Sequence, residues 1–94
     1  MLINNDFLIE NDFEVDVEMN LSVHYTSKDG VIELTDYSET LKDSSVKTKN
    51  YWEIVIRKEN DIQIVTFDGN LSKLRLFLEF CDLDYNHYFP NEAF

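Results

Sequence analysis

The sequence predicts an α+β fold: an antiparallel sheet of about four strands, made of two hairpins, with a C-terminal helix packed on one face. Three observations predict it. Residues 13–26 alternate without a break, odd positions reading Phe, Val, Val, Met, Leu, Val, Tyr and even positions Glu, Asp, Glu, Asn, Ser, His, Thr. The runs 51–58 and 62–67 are β-branched and aromatic, with Glu59, Asn60 and Asp61 between them. Residues 71–84 set Leu71, Leu74, Phe77, Leu78 and Cys81 along one face of a helix. Side chains alternate across a strand and return every three or four residues on a helix, so these patterns separate the two kinds of element.

Taken in order, residues 13–26 read as one long, half-buried strand. Lys28, Asp29 and Gly30 supply a turn, and pairing across Asp29 and Gly30 sets Tyr25 opposite Leu34 and Ser27 opposite Ile32, so a second strand is expected over about 31–35. The segment 36–50 is polar. Asp36-Tyr37-Ser38-Glu39 has the form of a capping box, which makes it either a short helix or a loop. In the second hairpin a two-residue loop would set Ile54 opposite Val65 and Trp52 opposite Phe67; a three-residue loop would shift that register, and the sequence leaves both open. Over 71–84, Leu74, Leu76, Leu78 and Phe80 also alternate as in a strand, but abundant Leu and the lack of β-branched residues favour helix.

The 94 residues fit a single domain, 1–94, with one core. At 44% hydrophobic and 14% aromatic the chain collapses rather than staying disordered. Eight Lys and Arg against 19 Asp and Glu give a net charge of -11. Such a surface repels phosphate, so direct nucleic-acid binding and adhesion to an anionic membrane are not expected. No apolar run exceeds three residues and the first basic residue is Lys28, which argues against a signal peptide or membrane span; with a single cysteine, Cys81, a reducing cytoplasm is the expected location.

Recognised chemistry is sparse. Asp82, Asp84 and Asn86 begin like a calcium loop, but His87 stands where Gly is needed and Ala93 where the bidentate Glu is needed, so no metal or other cofactor is expected. Ser22 and His24 share a strand face about 6.8 Å apart, with nothing to mark a third catalytic member. Cys81 falls on the apolar helix face, where burial blunts a thiol. Gly30 and Gly69 both sit in turns, so no phosphate-cradling loop exists. The expectation is a binding protein and not an enzyme.

The acid is unevenly placed. Residues 1–46 carry a net -9, residues 47–78 a net +2, and the last sixteen a net -4. Glu14, Asp16 and Glu18 project from one strand face at intervals of about 6.8 Å, with Asp12 at the end of the row and Glu33 and Asp36 beside it; Glu79, Asp82 and Asp84 form a second group. Like charges on one face repel, and such a row also discourages edge-to-edge pairing. A short, strongly acidic chain with this row and no catalytic set resembles the small phage proteins that inhibit host defence nucleases by imitating DNA, among them restriction inhibitors and some anti-CRISPR proteins. That class shares no single fold. The resemblance implies a basic DNA-binding partner, a nuclease or transcription factor, and action in the host cytoplasm; an immunity-type or adaptor protein that neutralises one basic partner without mimicry is the alternative.

Leu76, Phe80 and Leu83 form a second apolar stripe opposite the first face of the helix. Either the aromatic tail, with Tyr85, Tyr88, Phe89 and Phe94, folds over it, or the stripe is a homodimer interface.

Overall fold

Five strands run in sequence order across one antiparallel sheet, β1(Glu14–Val17), β2(Val23–Thr26), β3(Ile32–Asp36), β4(Trp52–Lys58) and β5(Asp61–Phe67), each paired with the next. Among the described residues the sheet is accompanied by three helices, α1(Asn5–Glu10), α2(Leu71–Phe80) and α3(Tyr85–Tyr88). The computed structural model describes residues 1–17, 22–37 and 51–91. Glu18 and the second half of the candidate capping box, Ser38 and Glu39, lie outside the described residues; Asp36 itself closes β3.

The expected long strand is two strands. β1 and β2 pair antiparallel with Val15 opposite Tyr25 and Asp16 opposite His24. Odd residues face odd residues in this register, so the alternation continues across the connection and carries no mark of it. The two later pairings follow the sequence. Tyr25 lies opposite Leu34, the Ser27 amide bonds the Ile32 carbonyl at 2.9 Å, and a two-residue turn sets Ile54 opposite Val65 and Trp52 opposite Phe67.

One sheet face is covered. Tyr25, Ile32, Leu34, Trp52, Ile54, Ile56 and Phe67 are buried there in one cluster with Leu71, Leu74 and Leu78 of α2 and with Phe7, Leu8, Phe13, Tyr85 and Phe89. Periodicity gives no notice of α1, which is only six residues long. Its N-terminus is capped by Asn4, whose Oδ1 accepts the Phe7 amide at 2.9 Å, as Asn70 caps α2 by accepting the Lys73 amide at 3.2 Å.

Both helices stop in the same way. At the end of α1, Asp12 takes φ 65° while its amide bonds the Ile9 carbonyl and the Phe13 amide bonds the Leu8 carbonyl; at the end of α2, Asp82 takes φ 58° and Asp82 and Leu83 bond Glu79 and Leu78 in the same pattern. These are Schellman stops with Asp in the left-handed position usually given to Gly. The expected helix over 71–84 therefore closes at Phe80, and a separate turn of helix, α3, follows.

Gly69 links β5 to α2 at φ +86°, and a Cβ there would stand 2.7 Å from Trp52 Cδ1. The described part of the aromatic tail enters the core, and Phe94 lies outside the described residues. Phe89 stacks on Phe7 and Phe13 at centroid separations of 5.2 and 5.3 Å. Leu83 is half-buried against the core, whereas Leu76 and Phe80 stay exposed, so the three residues do not form one continuous stripe.

Candidate functional site

The other sheet face has no helix on it among the described residues. Strand pairing lays two rows of side chains across it: Asp16, His24, Thr35, Glu53, Thr66, and Glu14, Thr26, Glu33, Val55, Ile64. These rows carry carboxylates on β1, β3 and β4, two of the four on β1, and threonine hydroxyls on β2, β3 and β5.

A polar network crosses β2 to β4. The Ser22 hydroxyl lies 3.4 Å from His24 Nε2; His24 Nδ1 lies 3.0 Å from the Thr35 hydroxyl and 3.5 Å from Glu33 Oε1; Arg57 Nη2 holds Glu33 Oε2 at 3.1 Å. Serine, imidazole and carboxylate stand in the order of a hydrolytic triad, a third member that spacing alone did not reveal. Three details weaken that likeness. Ser22 is only 6% exposed, Thr35 is nearer to Nδ1 than Glu33 is, and Glu33 is already engaged by Arg57. What the arrangement does physically is hold His24 by both ring nitrogens and tie β2, β3 and β4 together on the face away from the apolar core.

The acidic residues singled out by sequence separate by role. Asp12 and Asp82 terminate helices; Asp12 also lies 3.6 Å from Lys28. Asp84 caps α3, accepting the Asn86 amide at 3.1 Å. Glu79 pairs with Arg75 at 3.6 Å and Glu33 with Arg57. Asp36 is half-buried at the end of β3. Glu14 and Asp16 remain, exposed on the outermost strand. Among the described residues no cation lies within ion-pair distance of either.

Ion pairing engages three of the basic residues of the net-positive stretch; Lys47 and Lys49 of that stretch lie outside the described residues. Arg57, Lys73 and Arg75 are paired with Glu33, Asp68 and Glu79, which leaves Lys58 as the one Lys or Arg among the described residues without a carboxylate at that range.

A small cleft at the opposite end of β2 is lined by Asn11, Lys28, Asp29, His87 and Tyr88. Tyr88 donates to Asp29 Oδ2 at 2.8 Å. Desolvation, and then the Asp29 carboxylate, push the Tyr88 phenol up to about 12. Desolvation alone would raise Asp29, but hydrogen bonds from the Val31 amide, the Ser27 hydroxyl and Tyr88 outweigh it and bring the carboxyl below its ordinary range. These contacts build the β2–β3 turn and dock the tail on it.

No group of three or more potential metal-ligating His, Cys, Asp or Glu side chains occurs among the described residues, and none of their helices is long and apolar enough to cross a membrane. No protein-family model, curated protein or solved structure matches the chain.

Proposed function

We propose that this protein is a non-catalytic acidic binding domain that inhibits a basic DNA-binding protein, such as a defence nuclease, by occupying its phosphate-binding surface as a DNA mimic. The observation that carries this reading is the pair Glu14 and Asp16, two exposed carboxylates with no neutralising cation among the described residues. Their separation of about 6.8 Å along the strand suits the Lys and Arg side chains that grip successive phosphates. Glu18, two positions on in the sequence, is included in the proposed set. The free thiol of Cys81 suits a reducing host cytoplasm.

The test is binding to the basic protein recovered from host lysate on a salt gradient, followed by competition with duplex DNA. Mimicry requires that DNA and this protein exclude each other and that salt weakens the complex. Glu14→Lys with Asp16→Lys and Glu18→Lys should abolish inhibition while circular dichroism reports an intact fold, because exposed substitutions change stability little. A partner that binds equally well with DNA in place would replace mimicry by the immunity-type reading, and full activity in the folded triple variant would remove the β1 face from the mechanism.

A further inference from the structure

The sheet has two outer edges of opposite character. β1 is four residues long and carries Glu14 and Asp16, so a second strand laid along it would meet carboxylates. β5 is seven residues long, Asp-Ile-Gln-Ile-Val-Thr-Phe, with no Pro, Lys or Arg and with its one charge at the first position. Ile62 and Ile64 are 59% and 61% exposed. Among the described residues no strand pairs with the outer edge of β5. Sheet proteins block such an edge with charge, proline or a bulge, because its unpaired amides and carbonyls template another strand. β5 has none of these devices along its middle.

We infer that the outer edge of β5 is a self-pairing surface, and that two copies join β5 to β5 antiparallel about a two-fold axis at Ile64 to make one continuous ten-stranded sheet. This inference is independent of the proposed DNA mimicry. The strand is complementary to itself in that register: Ile64 meets Ile64, Ile62 meets Thr66, Gln63 meets Val65, and Asp61 meets Phe67, so no carboxylate faces another. The charge of the chain points the same way. Two copies at a net -11 repel, and residues 51–78, the described segment that contains β5, carry four basic against four acidic side chains, so the excess acid lies elsewhere in the chain. Lys58 lies opposite Asp61 in the β4–β5 pair, which places a cation beside the one acid of the edge.

Phe80 supplies the second contact. It is 84% exposed and shares a shallow cleft with Gln63, Val65 and Phe77 on the core side of β5. A strand added to the edge would run beside this ring, so the partner's β5 would meet an aromatic wall as well as a backbone ladder. The homodimer that the sequence offered as one of two alternatives thus keeps Phe80 and moves its centre from the helix to the strand.

Site-directed cross-linking tests the register. In a Cys81→Ser background, Ile64→Cys should oxidise to a covalent dimer, since antiparallel residues directly opposite have Cα atoms about 4.5 to 5.5 Å apart, inside the range a disulfide spans. Leu76→Cys in the same background should not. Wild type should sediment at twice 11.2 kDa at high micromolar concentration, and Ile64→Lys at 11.2 kDa with an unchanged far-ultraviolet spectrum. The inference is overturned by a wild type that stays monomeric, which would leave the edge to an extended peptide of another protein. It is equally overturned by an Ile64→Lys variant that stays dimeric or by cross-linking at residue 76 in place of 64, which would return the interface to α2. Glu14→Lys with Asp16→Lys should leave the cross-link intact, so failure of the dimer and failure of the acidic face are read separately.

Discussion

Phe89→Ala should remove most of what fastens the C-terminal tail to the domain. Phe89 is 1% exposed, lies nearly parallel to Phe7 and Phe13 at interplanar angles of 9° and 13°, and meets Tyr85 at a centroid distance of 5.1 Å. Truncating a buried Phe costs about 3 to 5 kcal/mol, within which each ring pair accounts for about 0.5 to 1.5 kcal/mol. A chain of this length has a stability of about 5 to 14 kcal/mol. The variant should therefore stay folded with little in reserve, losing about 4 kcal/mol. At a urea slope of about 1.5 kcal/mol per molar, that loss lowers the midpoint by about 2 to 3 M. Phe89→Leu keeps most of the volume and loses the ring pairs, so it should cost about 1 to 2 kcal/mol. Urea unfolding of the three proteins by tryptophan fluorescence checks the series, with Trp52 buried in the same core. A Phe89→Ala loss below about 1 kcal/mol, smaller than one cavity should cost, would show that the tail does not close the core.

Gly69→Ala combines a positive φ with a Cβ placed 2.7 Å from Trp52 Cδ1, and should cost about 2 to 4 kcal/mol, read as a fall in Tm by calorimetry. Asp82→Gly should raise Tm, gaining about 0.5 to 1 kcal/mol, because glycine takes the left-handed stop at no steric cost and a carboxylate leaves the negative end of α2. Asp29 has its folded pKa lowered, so its contribution to stability is present above the ordinary carboxylate range and is lost as pH falls through the folded value; thermal melts of Asp29→Asn should show a flatter acid limb than wild type. Tyr88 has its folded value raised to about 12, so its contribution is present below the ordinary phenol value near 10 and is lost as pH rises toward 12. Added salt should weaken the complex with a basic partner yet strengthen self-association, since it screens attraction in one case and repulsion between two acidic chains in the other; sedimentation at low and high ionic strength reads both.

Much of the sheet was legible because its turns carry their own chemistry. The β2–β3 turn is held by Asp29 Oδ1, which accepts the Ser27 hydroxyl at 2.7 Å and the Val31 amide at 3.0 Å, the behaviour expected of Asp in that place. The β1–β2 connection was hidden for a geometric reason. With Val15 opposite Tyr25, residues of one parity share one face on both strands, and a count of alternation runs from one strand to the next unchanged. α1 was hidden by its length, since six residues give less than two turns of periodicity. Its ending was nevertheless written in the chain: Phe7-Leu8 followed by Asp12-Phe13 matches Phe77-Leu78 followed by Asp82-Leu83, and both make the same stop. Compared with α2, the N-terminal segment could have been assigned as helix from that match alone.

The charge of the chain was a coarser guide than the fold. A net -11 treats all carboxylates as equal, yet Asp12 and Asp82 end helices, Asp84 begins one, Asp29 and Asp68 hold turns, and Glu33 and Glu79 neutralise arginines. Acid used in this way supplies a long-range field that can steer a basic partner but does not stand free to replace its phosphates one for one. Glu14 and Asp16 do stand free on the described part of the surface, on the edge that no second copy can pair with at low cost. The opposite edge carries the exposed Ile62 and Ile64 and lies in a described segment, residues 51–78, whose charges balance. Placing attraction for cations at β1 and attraction for another strand at β5 puts the two surfaces four strand spacings apart, about 19 Å, which is far enough for both to be occupied at once.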